Sequence, residues 1–258
     1  MKALTLFLTT VLVGNSERQV PGSTVEQRRE AIRQAGASAQ TAGEEIVPVI
    51  EAGLRDPDAQ VRFGAIAALT QLVMRAARTP GPTEKTVNLR GRPTLGSAVV
   101  SALQDADFRI RGGAASALPF ITDLSAPTVR SALVAQYQRE SDGGVRAVIL
   151  SVLAPHAGKN QDVQRLVVQG LDDMAPVVRR QAAMTIPAFR PPEALSRIVA
   201  ELQAGNEQTR PEFVRALASY GALAKSHVGV LETLLAVETG RDRRDQINKA
   251  IQTINASR

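Results

Sequence analysis

The sequence repeats one short pattern, in which an acidic residue is followed six residues later by an arginine and an apolar run begins beside that arginine. Asp56 and Arg62 form the first copy, and Asp105 and Arg111 form the second. Further copies are centred on Arg146, Arg179, Arg210 and Arg244, and only the Arg210 copy lacks the acidic residue, with Ala204 in its place. Successive arginines are 31–35 residues apart except for one separation of 49 residues. A period of this length indicates stacked repeat units of one supersecondary structure.

Apolar residues around each arginine have the spacing of an amphipathic helix. In the first copy, Ala65, Leu69 and Leu72 follow Arg62 at intervals that place them on one helical face. A second apolar segment ends before the acidic residue, at Leu54 in the same copy. Each unit is therefore predicted to be two helices joined by a short turn. Since neither helix can bury its apolar face alone, the units must stack. We predict an all-α fold, an α-solenoid or superhelix of about six hairpins over residues 43–256.

The acidic residue is predicted to lie in the turn and the arginine in the first turn of the second helix. A fixed register would then let the arginine of one unit meet the acidic residue of a neighbour. We predict a register ladder formed by Asp56, Arg62, Asp105, Arg111, Glu140, Arg146, Asp173 and Arg179. As exposed ion pairs, its members would each contribute about 0.2–1 kcal/mol.

The residues of this pattern resemble the HEAT repeat family. The resemblance is carried by Asp56, Val61 and Arg62, by Asp105, Ile110 and Arg111, by Glu140, Val145 and Arg146, and by Asp173, Val178 and Arg179. The short units are most similar to the bacterial HEAT-like repeats of phycobilisome lyase subunits. The resemblance implies a curved surface lined by the second helices, on which a partner is held.

The first residues have the features of an export signal. Lys2 is followed by an apolar run from Ala3 to Gly14, and the small residues Gly14 and Ser16 flank Asn15 just before the expected cleavage point. Residues 1–16 are therefore predicted to be a signal peptide, which places the mature protein in the periplasm or outside the cell. The alternative is a cap helix, which would leave the protein in the cytoplasm. Residues 17–42 are predicted to be an N-terminal cap helix, with Ser23 and Glu26 spaced as a capping box.

A proline-rich, basic insertion of about residues 77–94 separates the first two units. Its prolines, Pro93 included, argue against a helix. Its cations could hold an acidic partner. The predicted partner-binding residues are Arg75, Lys85, Arg90 and Arg92 in or beside the insertion and Arg180 and Arg215 on exposed positions of second helices.

No catalytic or cofactor motif stands out in the sequence. Cysteine is absent, and the two histidines, His156 and His227, lie in different units. We therefore predict no catalytic residue, no cofactor and no metal site. No second long apolar run follows residue 16, so no transmembrane helix is expected in the mature chain.

These observations favour a non-catalytic module that binds another protein. Two alternatives stay open: an enzyme similar to a bilin lyase, and a nucleic-acid-binding protein. The net charge of +6 slightly favours the nucleic-acid alternative. The absence of tryptophan and the near balance of 31 cations with 25 acidic residues argue against it.

Overall fold

The computed structural model describes residues 23–39, 44–77 and 87–257, and the described part is built from helices. In chain order these are α1 (Val25–Ser38), α2 (Val47–Leu54), α3 (Ala59–Ala76), α4 (Pro93–Ala102), α5 (Phe108–Ile121), α6 (Pro127–Arg139), α7 (Gly143–Leu153), α8 (Gln161–Gly170), α9 (Pro176–Thr185), α10 (Ala194–Gln203), α11 (Arg210–Ser219), α12 (Val228–Val237) and α13 (Arg241–Ala256). The predicted signal segment, residues 1–16, lies outside the described residues. None of the described helices is both long and apolar enough to cross a bilayer.

The chain divides into two compact units, the first reaching to Gln136 and the second beginning at Tyr137. In the first unit, helices α2 and α4 each pack against the helix that follows, α3 and α5, and α3 packs against α5. Helix α1 covers α2 and α3. In each of these hairpins the first helix therefore packs on its own second helix, and the second helices of successive hairpins pack on one another.

The second unit repeats this arrangement. Its second helices α7, α9, α11 and α13 pack in succession, and the first helices α8, α10 and α12 pack against their own second helices α9, α11 and α13. The predicted apolar positions form the core: Val178, Ala182 and Ile186 are fully buried in and after α9. The predicted all-α, solenoid fold class is therefore confirmed.

The turns are closed by side chains that cap the second helices. Asp58 accepts hydrogen bonds from the backbone N–H groups of Gln60 and Val61, at 3.1 Å each. Asp107 caps α5 in the same way, and Asp142 caps α7. Each of these residues lies two positions after the acidic residue of the repeat, so the cap and the acidic residue of the repeat are separate residues.

The predicted cap helix lies within the range expected but begins one residue later than its capping box suggested. Thr24, and not Ser23, is the N-cap of α1, and its hydroxyl accepts a hydrogen bond from the Gln27 backbone at 3.2 Å. The Gln27 side chain accepts from the Thr24 N–H at 2.8 Å. Gln27 completes the box in place of Glu26 because an amide oxygen accepts this bond as a carboxylate does.

The insertion ends earlier than predicted, and its last part is packed against the core. Residues 78–86 lie outside the described residues, whereas Val87 and Leu89 are buried. Pro93 was wrongly expected to exclude a helix, since it is the first residue of α4. A proline is favoured there because the first helical N–H has no partner within the helix.

Glycines on second helices of the first unit let successive layers come close together. A Cβ atom on Gly113 of α5 would lie 2.6 Å from Cγ1 of Ile66 on α3. One layer earlier, a Cβ atom on Gly64 would lie 2.7 Å from Cγ2 of Ile32 on α1. Both isoleucines are 3% exposed, so they have little room to move aside.

We predict that Gly113→Ala destabilises the protein although alanine is the better helix former. Overpacking against Ile66 costs about 1–3 kcal/mol, which outweighs the gain of about 1 kcal/mol in helix propensity. Gly229→Ala in α12 is the matched control, because a Cβ atom there meets nothing within 4 Å. In urea unfolding, the control should be unchanged or more stable. Equal midpoints for the two variants would contradict the packing argument.

Candidate functional site

The predicted ladder residues meet within each unit, as pairs that connect one hairpin to the next. Nε of Arg62 donates to Asp105 at 2.6 Å, and Nε of Arg146 donates to Asp173 at 2.8 Å. In both pairs a second guanidinium nitrogen reaches the other carboxylate oxygen, at 3.2 and 2.7 Å. This two-point geometry fixes direction as well as distance.

The same arginines also bind the turn of their own hairpin. Nη1 of Arg146 donates to the backbone carbonyls of Glu140 and Ser141, both at 3.0 Å. Nη1 of Arg62 makes the corresponding bonds to Asp56 and Pro57 at 2.9 Å. Each guanidinium therefore ties its own turn to the carboxylate of the next hairpin.

Arg111 and Glu140 lie in different units, and each makes the ladder contacts of its own turn. Nη1 of Arg111 donates to the carbonyls of Asp105 and Ala106 at 2.8 and 3.0 Å. The Glu140 carboxylate accepts the backbone N–H of Asp142 at 3.0 Å. Hairpin turns in the first unit and in the second unit are thus closed by the same kinds of hydrogen bond.

Three further ladder contacts were not predicted. Arg28 of the cap helix pairs with Asp56 at 2.7 Å, and its only sequence signal is its position one repeat length before Arg62. Arg179 pairs at 3.0 Å with Glu201, which lies inside α10 and replaces the turn acid that Ala204 lacks. Arg210 pairs with Glu238 at 3.0 Å. The role of Glu201 cannot be predicted from the repeat pattern, because it depends on how α10 packs beside the turn that precedes α9.

The expectation that these pairs are exposed is wrong. The side chains of Arg62 and Asp105 are 20% and 6% exposed, and those of Arg146 and Asp173 are 16% and 11% exposed. The turn lies between successive hairpins, so stacking removes most of the water from it. Removing one partner of such a pair is expected to cost more than breaking an exposed pair, because the other partner is left without its bonds in a largely dry site.

The electrostatics of the carboxylates agree with this geometry. Burial acts to raise the pKa of Asp105, but the hydrogen bonds from Arg62 and the Asp107 backbone outweigh it and hold that pKa below its ordinary value. Asp173 has a lowered pKa for the same reasons, with Arg146 as the donor. Both carboxylates are therefore ionised at neutral pH, and the ladder is structural in character.

The arginines predicted to bind a partner near the insertion are used within the chain. Arg75 was expected to be exposed but is 8% exposed, and its guanidinium donates to the Ala39 carbonyl at 2.8 Å. Arg92 pairs with Glu44 at 2.6 Å, and Arg90 donates to the Pro119 carbonyl at 3.1 Å. Lys85 lies outside the described residues. Partner binding by this loop stays a prediction.

The other two predicted residues, Arg180 on α9 and Arg215 on α11, are exposed on second helices of the second unit. We define the second-helix row as the residues five positions after the repeat arginine on α7, α9, α11 and α13, which are Ser151, Met184, Arg215 and Lys249. All four are exposed. The ladder pairs within this unit hold the four helices in one register, so these side chains follow one another from layer to layer.

The row and the neighbouring positions Val177 and Arg180 on α9 combine exposed apolar atoms with cations that have no partner. Met184 is 51% exposed, and Val177, two turns earlier on α9, is 39% exposed. Arg180 lies between them on the same face. The charged groups of Arg180, Arg215 and Lys249 make no hydrogen bond or ion pair with any residue that the structure describes. Most other arginines of the described chain are used in pairs or on carbonyls, so these cations are available to a ligand.

A groove of about 320 Å³ lies between α11 and α13 and includes the end of the row. Buried Val214 and Ala250 and half-buried Ala218 give it apolar walls, and Arg215 and Lys249 provide its charges. No group of three or more histidine, cysteine, aspartate or glutamate residues in the described part of the chain could hold a metal ion. The groove therefore offers shape and charge for binding.

We predict that Arg146→Met lowers the free energy of unfolding by about 2–4 kcal/mol, because Asp173 and two turn carbonyls lose their donor in a largely dry site. Methionine retains the apolar stem of the arginine side chain. Arg165→Met is the control, since the Asp162–Arg165 pair is 65% and 77% exposed and should contribute less than about 0.5 kcal/mol. Chemical denaturation measures both, and similar losses would refute the ladder's structural role.

Comparisons with known proteins agree with this architecture. The HEAT repeat model matches residues 46–74, and a model of HEAT repeats matches residues 165–252. Among curated proteins, none matches the chain in sequence. The solved structure of E. coli YibA is similar to this chain, with 15% identity, a TM-score of 0.66 and coverage of 100% of this chain and 83% of YibA.

Two other solved structures also match this chain. The karyopherin Kap121p bound to RanGTP matches with 14% identity and a TM-score of 0.61, over 98% of this chain and 28% of Kap121p. The CpcE–CpcF complex of phycocyanin lyase from Nostoc matches with 17% identity and a TM-score of 0.47, over 97% of this chain and 94% of that one. The repeat arginines, the helix-pair packing and the two family matches agree: this chain carries HEAT repeats over residues 46–74 and 165–252.

Proposed function

We propose that this protein is a non-catalytic interaction module that binds another polypeptide on the second-helix row of its second unit. The observation that carries the proposal is the exposure of Val177 and Met184 beside cations that have no partner. Apolar side chains next to unused charges are typical of a surface that another molecule covers. The flexible thioether of Met184 suits such a contact because it adapts to the shape of its partner.

Related folds give this proposal a precedent. Kap121p has been solved bound to RanGTP, and also bound to the extreme C-terminus of the protein phosphatase Cdc14p. In the second of these structures, the ligand of the repeat fold is the end of a polypeptide chain. A polypeptide ligand is therefore consistent with the architecture of this protein.

We further propose that the protein acts after export from the cytoplasm. The support is the order of residues at its start, where Lys2 precedes an apolar run that ends at Gly14. The partner would then be a periplasmic or secreted polypeptide.

Export makes a simple prediction about the mature chain. Signal cleavage after Ser16 should give a protein that begins at Glu17, because the small residues Ser16 and Gly14 lie one and three positions before that cut. Mass spectrometry of the intact protein purified from its own cells measures this directly. A chain that retains Met1 or Lys2 in the cytoplasmic fraction would exclude export.

Site-specific photo-crosslinking tests the binding surface. A photoreactive residue at Met184 should give a crosslinked partner, because this position lies at the centre of the row. The same residue at Gln169, an exposed position of the first helix α8, is the matched control and should give none. Equal crosslinking at both positions, or none at Met184, would contradict the proposed surface.

A further inference from the structure

The chemistry of the second-helix row identifies the kind of segment that it binds. We propose that the row holds an extended acidic segment, with an apolar side chain on Met184 and carboxylates on Arg215 and Lys249. This inference rests on the proposed function and specifies its ligand. The two cations follow each other on α11 and α13 and share the groove between these helices.

The spacing of the helices favours a ligand in polyproline II conformation. Adjacent packed helices are about 8–10 Å apart. A polyproline II segment advances about 9 Å in each turn of three residues, so that every third side chain points the same way. One ligand residue in three would therefore face the row, one for each second helix. The expected pattern is an apolar residue, then an acidic residue three positions on, then another acidic residue three positions further.

The nearest acidic residues on the same helices leave both cations of the groove available to a ligand. Glu212 lies one turn before Arg215, and Asp245 lies one turn before Lys249, but neither forms an ion pair with its neighbour in the described chain. Neither cation therefore meets a carboxylate of the residues that the structure describes. These two acidic residues would also repel a dense polyanion, which favours a peptide with spaced carboxylates over a nucleic acid.

The exposed apolar side chains near the cations favour a ligand that has apolar groups as well as negative charges. Met184 and Val177 are exposed on α9, and Val214, Ala218 and Ala250 line the groove beside Arg215. Peptide side chains can cover these atoms while their carboxylates reach the cations. A single-stranded nucleic acid is typically held by stacking of its bases on aromatic side chains, and the row contains none.

Fluorescence anisotropy with short labelled peptides tests the proposal on the full mature protein. The probe has the pattern Leu-x-x-Glu-x-x-Glu with Pro and Ser at the intervening positions, and the comparison peptide carries Gln in place of each Glu. Two ion pairs at the edge of a groove predict that the Glu peptide binds about tenfold more tightly than the Gln peptide. Equal affinities would overturn the acidic preference.

Charge reversal locates the site. The double variant Arg215→Glu with Lys249→Glu should lose at least about tenfold in affinity for the Glu peptide. The matched control is Lys159→Glu with Lys225→Glu, which changes net charge equally at exposed residues of the same unit that also have no partner. The control should bind within about twofold of the unmodified protein. Similar losses in both variants would overturn the site, because they would indicate attraction by net charge alone.

The outcomes separate this inference from the proposed function. If the Gln peptide binds as well as the Glu peptide but Met184→Ala weakens both, the acidic ligand is wrong and the interaction surface stands. If crosslinking from Met184 also fails, the proposed function is wrong as well. Tighter binding of a single-stranded oligonucleotide than of the Glu peptide would overturn the peptide ligand.

Discussion

The structure depends on an arginine that binds in two directions. Arg62 and Arg146 each hold the carbonyls of their own turn with one nitrogen and the carboxylate of the next hairpin with two others. A guanidinium can do this because its donors form a rigid planar fork. The contact closes the turn and sets the position of the following hairpin at once. Apolar stacking provides the driving force, and the arginine determines the register in which stacking occurs.

The separate roles of the turn arginines and the second-helix faces explain which cations remain available to bind a ligand. Most arginines in the described residues are committed to turns, carboxylates or carbonyls, including Arg75 and Arg92, which the sequence suggested as contacts. The cations of the second-helix row are not committed. A repeat protein gains a ligand surface in this way because the ladder residues lie in the turns between helices, while the exposed face of each second helix is free to vary.

The repeat also shows how one position in each unit can serve different purposes. Five residues after the repeat arginine, the second unit has Ser151, Met184, Arg215 and Lys249, which differ in size, polarity and charge. Two residues after it, the first unit has Gly64 and Gly113, which are required for close packing of α1, α3 and α5. The register is constant along each unit, whereas the chemistry displayed at that register is specific to each hairpin.

The amino-acid sequence alone determined the helical hairpins, their number, the buried positions and the pairing of turn acid with arginine, because these follow from periodicity. Only the tertiary structure decided that the ladder is largely dry, that Glu201 replaces a missing turn acid, and that Arg75 is buried. These features depend on what lies across from a residue in space, and the spacing along the chain carries no information about that. Likewise, Met184 is apolar at a position that periodicity leaves unassigned, and its exposure became evident only when the neighbouring second helices were in place.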